Sequence, residues 1–216
     1  MNGKALESVH LPVLPRPSNA HQWVGGGCTG CIELASKYAR ESGAPALEGN
    51  RLHDVARTVL AGEVSIDDVD PDDRKIIEPY IDEVRAILAA ASDVVLHYVE
   101  RGFEWKRDDR LKGTPDDVVV DTTRKHLTIT DLKTGRGVVE AFENWQLLCY
   151  ALFLLPEGWT CTLVIVQPRA FHVSGPVRRW SFDWATFVSY RERIVEAWAL
   201  ATSEISTLTT GDHCRY

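Results

Sequence analysis

Asp131, Leu132 and Lys133 close a run of strand-forming residues, Leu127–Thr130, and set a carboxylate and an ammonium two positions apart. Side chains alternate across a strand, so Asp131 and Lys133 share one face while Leu132 turns into the core. Just upstream, Val118–Val120 is a second strand-forming run with Asp116 and Asp117 at its start. A hairpin joining the two runs brings Asp116 beside Asp131. Two carboxylates and an ammonium at a sheet edge suit a Mg²⁺ site. They offer hard oxygen ligands, open positions for phosphate, and a charge that positions or activates water. The same Asp-x-Lys triplet also occurs as a solvated face with a weak ion pair, so the remaining elements must decide.

Those elements follow in order. Residues 1–20 are proline-bearing with little periodicity and are expected as an extended arm, ahead of a single domain over 21–216. HQWVGGGCTG, residues 21–30, is a glycine-rich turn before a helix from Cys31 to Arg40; without a following Lys-Ser/Thr it is no nucleotide-binding loop of the Walker type. A second helix carries Leu52, Val55, Ala56, Val59 and Leu60 as one apolar stripe, and His53 flanks it. By itself His53 fits a boundary histidine as well as a ligand. An acidic loop, Ser65–Asp73, leads into a helix over Arg74–Ala91. Strand chemistry runs from Val94 to Trp105, with Glu100 inside it, and a polar stretch over Lys106–Arg110 follows.

After Lys133, Thr134–Gly137 is expected as a mobile or phosphate-approaching loop, since glycine admits close backbone approach. A helix over Glu140–Leu155 sets Gln146 and Tyr150 on one face, four residues apart; plain helix packing explains that spacing equally well. Trp159–Gln167 is a buried strand, Arg178–Phe182 a short one, and Trp184–Ser206 a closing helix. Helices on both sides of a few strands indicate an α/β sandwich around a small mixed sheet.

Composition bounds the function. The chain has 216 residues, 44% hydrophobic and 25% charged, enough for a packed core. A formal net charge of −7 argues against a passive nucleic-acid-binding module. It weighs less against a nuclease, whose carboxylates hold metal. No apolar run reaches membrane-spanning length and no signal-peptide pattern opens the chain, so a cytoplasmic protein without membrane partners is expected. Five cysteines without a regular framework argue against a disulfide scaffold.

Four stretches in order give the chain a family likeness. EGNRLHDVA, GTPDDVVV, ITDLKTG and NWQLLCYALF span residues 48–150 and resemble the motifs of the PD-(D/E)XK nuclease superfamily, in its RecB-like phage and prophage exonuclease branch. The resemblance implies a restriction-endonuclease-like α/β core. It implies that Asp116, Asp131 and Lys133 are catalytic, and that His53, Asp116, Asp131 and the carbonyl of Leu132 hold Mg²⁺ or Mn²⁺. Gln146 and Tyr150 would brace the site or contact DNA. Asp117 competes with Asp116, but the Gly-x-x-Asp spacing and strand alternation favour Asp116. Glu48 and Glu100 either support the site or are ordinary surface charge.

The implied activity is DNA exonuclease action in phage-type recombination or repair, in the bacterial cytosol, beside a single-strand annealing or replication protein. Two alternatives are an assembly protein with the nuclease fold and little cleavage, and a structure-specific endonuclease. Some members of the branch hold a [4Fe–4S] cluster with one N-terminal and three C-terminal cysteines. Cys28, Cys31 and Cys214 are the matching thiols here, one short of four, so a cluster is expected only in a longer parent chain.

Overall fold

The computed structural model describes residues 14–37 and 43–214. Among the described residues five α-helices and seven strands follow one another as α1 (Cys31–Lys37), α2 (Ala44–Leu60), α3 (Pro71–Ala90), β1 (Val95–Val99), β2 (Phe103–Trp105), β3 (Asp108–Gly113), β4 (Asp117–Asp121), β5 (His126–Leu132), α4 (Trp145–Leu154), β6 (Thr160–Val166), β7 (Val177–Asp183) and α5 (Trp184–Ala201). The small mixed sheet flanked by helices that the sequence implied is what forms. Its order is β1-β4-β5-β6-β7, and β2 with β3 makes a separate two-stranded ribbon.

β5 and β6 are parallel and every other pair in the large sheet is antiparallel. Parallel neighbours need a crossover, and α4 provides it. The sheet separates two apolar layers. Leu127, Ile129, Leu163 and Ile165 pack with α4 and α5 on one side. Leu132, Val164 and Val166 pack with Leu52, Ala56 and Val59 of α2 and with Ile77, Ile81 and Val84 of α3 on the other. Each fully buried aliphatic side chain contributes about 1.5–3 kcal/mol, so the strip between α2 and β5 fixes the helix that carries His53. Gly49 helps: a Cβ there would lie 3.1 Å from the Thr134 hydroxyl, so the helix meets the loop after β5 closely.

Several element boundaries differ from the sequence expectation, each for a local reason. The apolar run Val94–Trp105 is two strands in different sheets. Glu100 breaks it with φ 47°, in the left-handed region that a non-glycine residue enters at a cost. The polar Lys106–Arg110 stretch hides the first half of β3, whose pairing with β2 overrides the low strand propensity of DDRLKG. α4 starts at Trp145 because Asn144 caps it, its side-chain oxygen accepting from the Leu147 amide at 3.2 Å. α5 ends at Ala201 rather than Ser206, and β7 extends to Asp183, which caps α5. α3 begins at Pro71, capped by Asp70, so the acidic loop is shorter than expected.

Of the expected arm, residues 1–13 lie outside the described residues, whereas Pro17 and Ala20 are buried. The end of the helix expected over Cys31–Arg40 also lies outside them. Among the described residues no helix is long and apolar enough to cross a membrane.

Candidate active site

The chemistry-bearing residues meet where β4 begins and β5 ends. Asp116 directly precedes β4, and its Oδ2 accepts from the Leu132 amide at 2.7 Å. Its Oδ1 faces His53 Nδ1 from α2 at 3.3 Å, and the same nitrogen lies 3.5 Å from Glu100 Oε1. One donor atom from each of His53, Glu100 and Asp116 lies within 4.8 Å of the other two. The left-handed turn at Glu100 explains its presence: its amide bonds the Asp116 carbonyl at 2.9 Å, ending β1 beside Asp116.

Asp131 and Lys133 form the second half. Lys133 Nζ lies 2.8 Å from Asp131 Oδ2 and donates to Gln146 Oε1 at 2.9 Å. Gln146 Nε2 returns a bond to Asp131 Oδ1 at 3.0 Å and lies 3.4 Å from the Tyr150 hydroxyl. Tyr150 donates to the Thr114 carbonyl at 3.1 Å, which ties α4 to the chain just before Asp116. Gly113 makes that approach possible, since a Cβ there would fall 2.9 Å from both Tyr150 and Pro17.

Electrostatics divide along the same line. Burial and the charge of Asp131 push Asp116 up to about 6, against the opposing pull of His53 and Lys133. Burial acts to lower the His53 imidazole, but hydrogen bonds to Asp116 and Glu100 and the charges of Asp116 and Asp131 raise it to about 10. For Lys133, burial is outweighed by the Asp131 carboxylate and the pKa is raised. The phenol of Tyr80, buried on α3, is raised by burial and by the negative charge of Asp116, Asp117, Glu100 and Asp131. The site therefore concentrates anionic charge and holds a proton on His53 in compensation.

The donor set fits a hard divalent ion. Two carboxylates and an imidazole converge within the span that one cation bridges. The buried Asp131 Oδ2 has the Lys133 charge beside it but no hydrogen bond of acceptable geometry. An ion there would displace the proton from His53, because a ligating imidazole must be neutral.

Each expected residue now has a place. His53 and Asp116 stand together; Asp131 is adjacent but outside the tightest trio, and Leu132 enters through its amide. Glu100, expected at most in support, belongs to the trio, and no linear spacing announced it. Glu48 pairs with Arg169 at 2.7 and 3.0 Å. Asp117 is fully buried and bonded to His97 Nε2 at 2.5 Å, apart from Asp116 as strand alternation required. The Thr134–Gly137 loop is pinned. Gln167, wholly buried, donates to the carbonyls of Gly135 and Gly137 and accepts from the Val139 amide and from Arg178.

Residues 28–31 and 207–214 pack together: the Gly30 amide bonds the Thr207 carbonyl, and Cys28 Sγ accepts from the Thr209 amide at 3.3 Å. Burial first, then the neighbouring Cys28 and Cys214 thiols, push the Cys31 thiol up to about 12. All five cysteines are unpaired, and Cys149 and Cys161 are core residues.

Fold and site together define an α/β domain with an anionic, imidazole-bearing centre at one end of a mixed sheet. The chain belongs to the family described as "Protein of unknown function (DUF2800)", whose model matches residues 14–216. No curated protein matches it. Among solved structures, a crystal structure of LHK-Exo in complex with dAMP is similar at 12% identity and a TM-score of 0.49, over 90% of each chain. A crystal structure of that alkaline exonuclease from Laribacter hongkongensis is similar at 12% identity and a TM-score of 0.42, over 90% of each chain.

Proposed function

We propose that this protein is a divalent-metal-dependent nuclease that hydrolyses phosphodiester bonds of DNA, acting from ends. The observation that carries this is one juxtaposition. The trio His53, Glu100 and Asp116 lies directly against the Asp131–Lys133–Gln146 network.

His53, Glu100, Asp116 and Asp131 would hold the ion, with Mg²⁺ or Mn²⁺ the chemistry their oxygens favour. Bound there, it would supply Lewis acidity and a more acidic water. Lys133 keeps its ammonium at the edge of the carboxylates, where it can orient an attacking water and offset charge growing on the phosphate. Gln146 fixes both Asp131 and Lys133, so the two groups keep their relative position through the reaction. Hydrolysis then forms a bond from the water oxygen to phosphorus and breaks the bond to the leaving sugar oxygen, which takes up a proton. Roles in phage-type recombination or repair, and a single-strand annealing or replication partner, remain within this proposal.

The test incubates the protein with end-labelled linear DNA and with closed circular DNA, in Mg²⁺, Mn²⁺ or EDTA, beside an Asp131→Asn variant. Metal-dependent release of short products from linear DNA alone is expected, with the variant inactive. Cleavage equal in EDTA, or equal in the variant, would sink the proposal. Nicking of the circle would favour the endonuclease reading instead.

A further inference from the structure

Beside the site lies a cleft of about 1490 Å³, bounded by residues 14–18, by the ribbon β2–β3 and by α4. Its charge opposes that of the chain. Arg16, Arg101, Lys106, Arg110 and Lys112 line it against one acidic residue, Glu104, in a protein of formal charge −7. Arg110 is already held by Asp108 through two hydrogen bonds. Arg101, Lys106 and Lys112 are exposed and have no ion pair among the described residues. Basic side chains left without acidic partners in an acidic protein mark the track of a polyanion.

Two further features narrow the ligand. Tyr98 and Phe103 stand edge to face at 5.5 Å in the wall, and the Arg101 guanidinium lies 4.5 Å above the Tyr98 ring. Rings and a guanidinium plane within a cationic groove receive unpaired bases, whose faces a duplex keeps stacked inside. The inner end of the cleft is lined by Gln146, Tyr150 and Thr114, and Gln146 is the residue that bonds both Asp131 and Lys133.

We propose that this cleft is the entry channel for a single DNA strand, which runs along β2–β3 and delivers its end past Gln146 to the site. The inference rests on the nuclease reading for what happens to that strand, but not for its binding.

The experiment measures fluorescence anisotropy in EDTA, so that no cleavage occurs. Labelled oligo(dT), a duplex of equal length and oligo(rU) are titrated onto the wild type, onto Arg101→Ala/Lys106→Ala/Lys112→Ala and onto Phe103→Ala. Lys75→Ala, on the exposed face of α3, serves as the control. Oligo(dT) is expected to bind at least about tenfold tighter than duplex. The triple variant should lower the salt slope by about two, since each lost contact to a single strand removes about 0.7. Phe103→Ala should weaken binding about five- to 150-fold with the slope unchanged.

Equal binding of duplex, tighter binding of oligo(rU), or an unchanged slope in a triple variant of native circular dichroism each overturns the channel. Cleavage assays separate the two claims. Single-strand binding that depends on these residues in a protein that never cleaves rejects the nuclease reading alone. Wild-type cleavage of single strands by the triple variant rejects the channel alone.

Discussion

Asp116 and Asp117 are neighbours in the chain and opposites in their surroundings. Asp116 opens toward His53 and Glu100 and bonds the Leu132 amide. Asp117 turns to the other face of the sheet and is fully buried. His97 bonds its Oδ2, while its Oδ1 and the hydroxyl of the paired Thr130 have no hydrogen-bond partner. At the far end of the same strand, Asp121 is saturated by Ser92 and Arg124, chiefly by the Ser92 hydroxyl, and falls to about 2. Burial therefore does not by itself decide what surrounds a carboxylate. What distinguishes Asp116 is its company: an imidazole and a second carboxylate within the span of one cation, and the charge of Asp131 beside them.

The strongest way to break this contrast is to neutralise each acid in turn. Asp116→Asn or Asp131→Asn should lower metal-dependent cleavage by about 10³-fold, the scale of removing a group that stabilises transition-state charge. Asp116→Asn should leave the melting temperature equal or higher, because burial and Asp131 already disfavour its charge. Retained cleavage in either variant would place the chemistry elsewhere.

Gln146→Ala should cost about 10–100-fold in rate, since it removes the brace on both Asp131 and Lys133 without removing either. Single-turnover assays would show the loss in the rate rather than in DNA affinity. Next comes pH. His53 is raised to about 10, so its proton is bound below that pH and must leave for an ion to bind. Apparent Mn²⁺ affinity, followed by calorimetry, should rise by up to about tenfold per pH unit between 7 and 9. His53→Ala should flatten that slope.

The smallest effect on activity belongs to the other face. His97→Ala should leave cleavage unchanged but destabilise the fold by about 1–3 kcal/mol, because it strands the buried Asp117 carboxylate. Adding Asp117→Asn should recover most of that loss in chemical denaturation. A cleavage defect in His97→Ala would mean that the two faces are not separate.

What the sequence disclosed follows from the range of the interactions. Asp-Leu-Lys at the end of β5 and Gln-x-x-x-Tyr on α4 are local patterns, and strand alternation or one helical turn places their side chains. The preference for Asp116 over Asp117 came from spacing and alternation, and the geometry separates the two in that way. Glu100 stayed undecided between support and surface charge because its place depends on a backbone reversal inside a run that reads as one strand. β3 escaped because its stability comes from pairing with β2, not from its own residues. Glu48 met Arg169, a partner 121 positions away that no local rule supplies. Gln167 had no visible role until the loop that it anchors was seen.

Glu100 carries a further consequence. At φ 47° glycine would rest without strain, whereas glutamate holds that conformation at a cost of about 1–3 kcal/mol. A library screened only for heat resistance should therefore enrich Glu100→Gly, and under the proposed function the survivors should be sturdy proteins that cleave DNA poorly. Robustness and turnover would pull this one position in opposite directions.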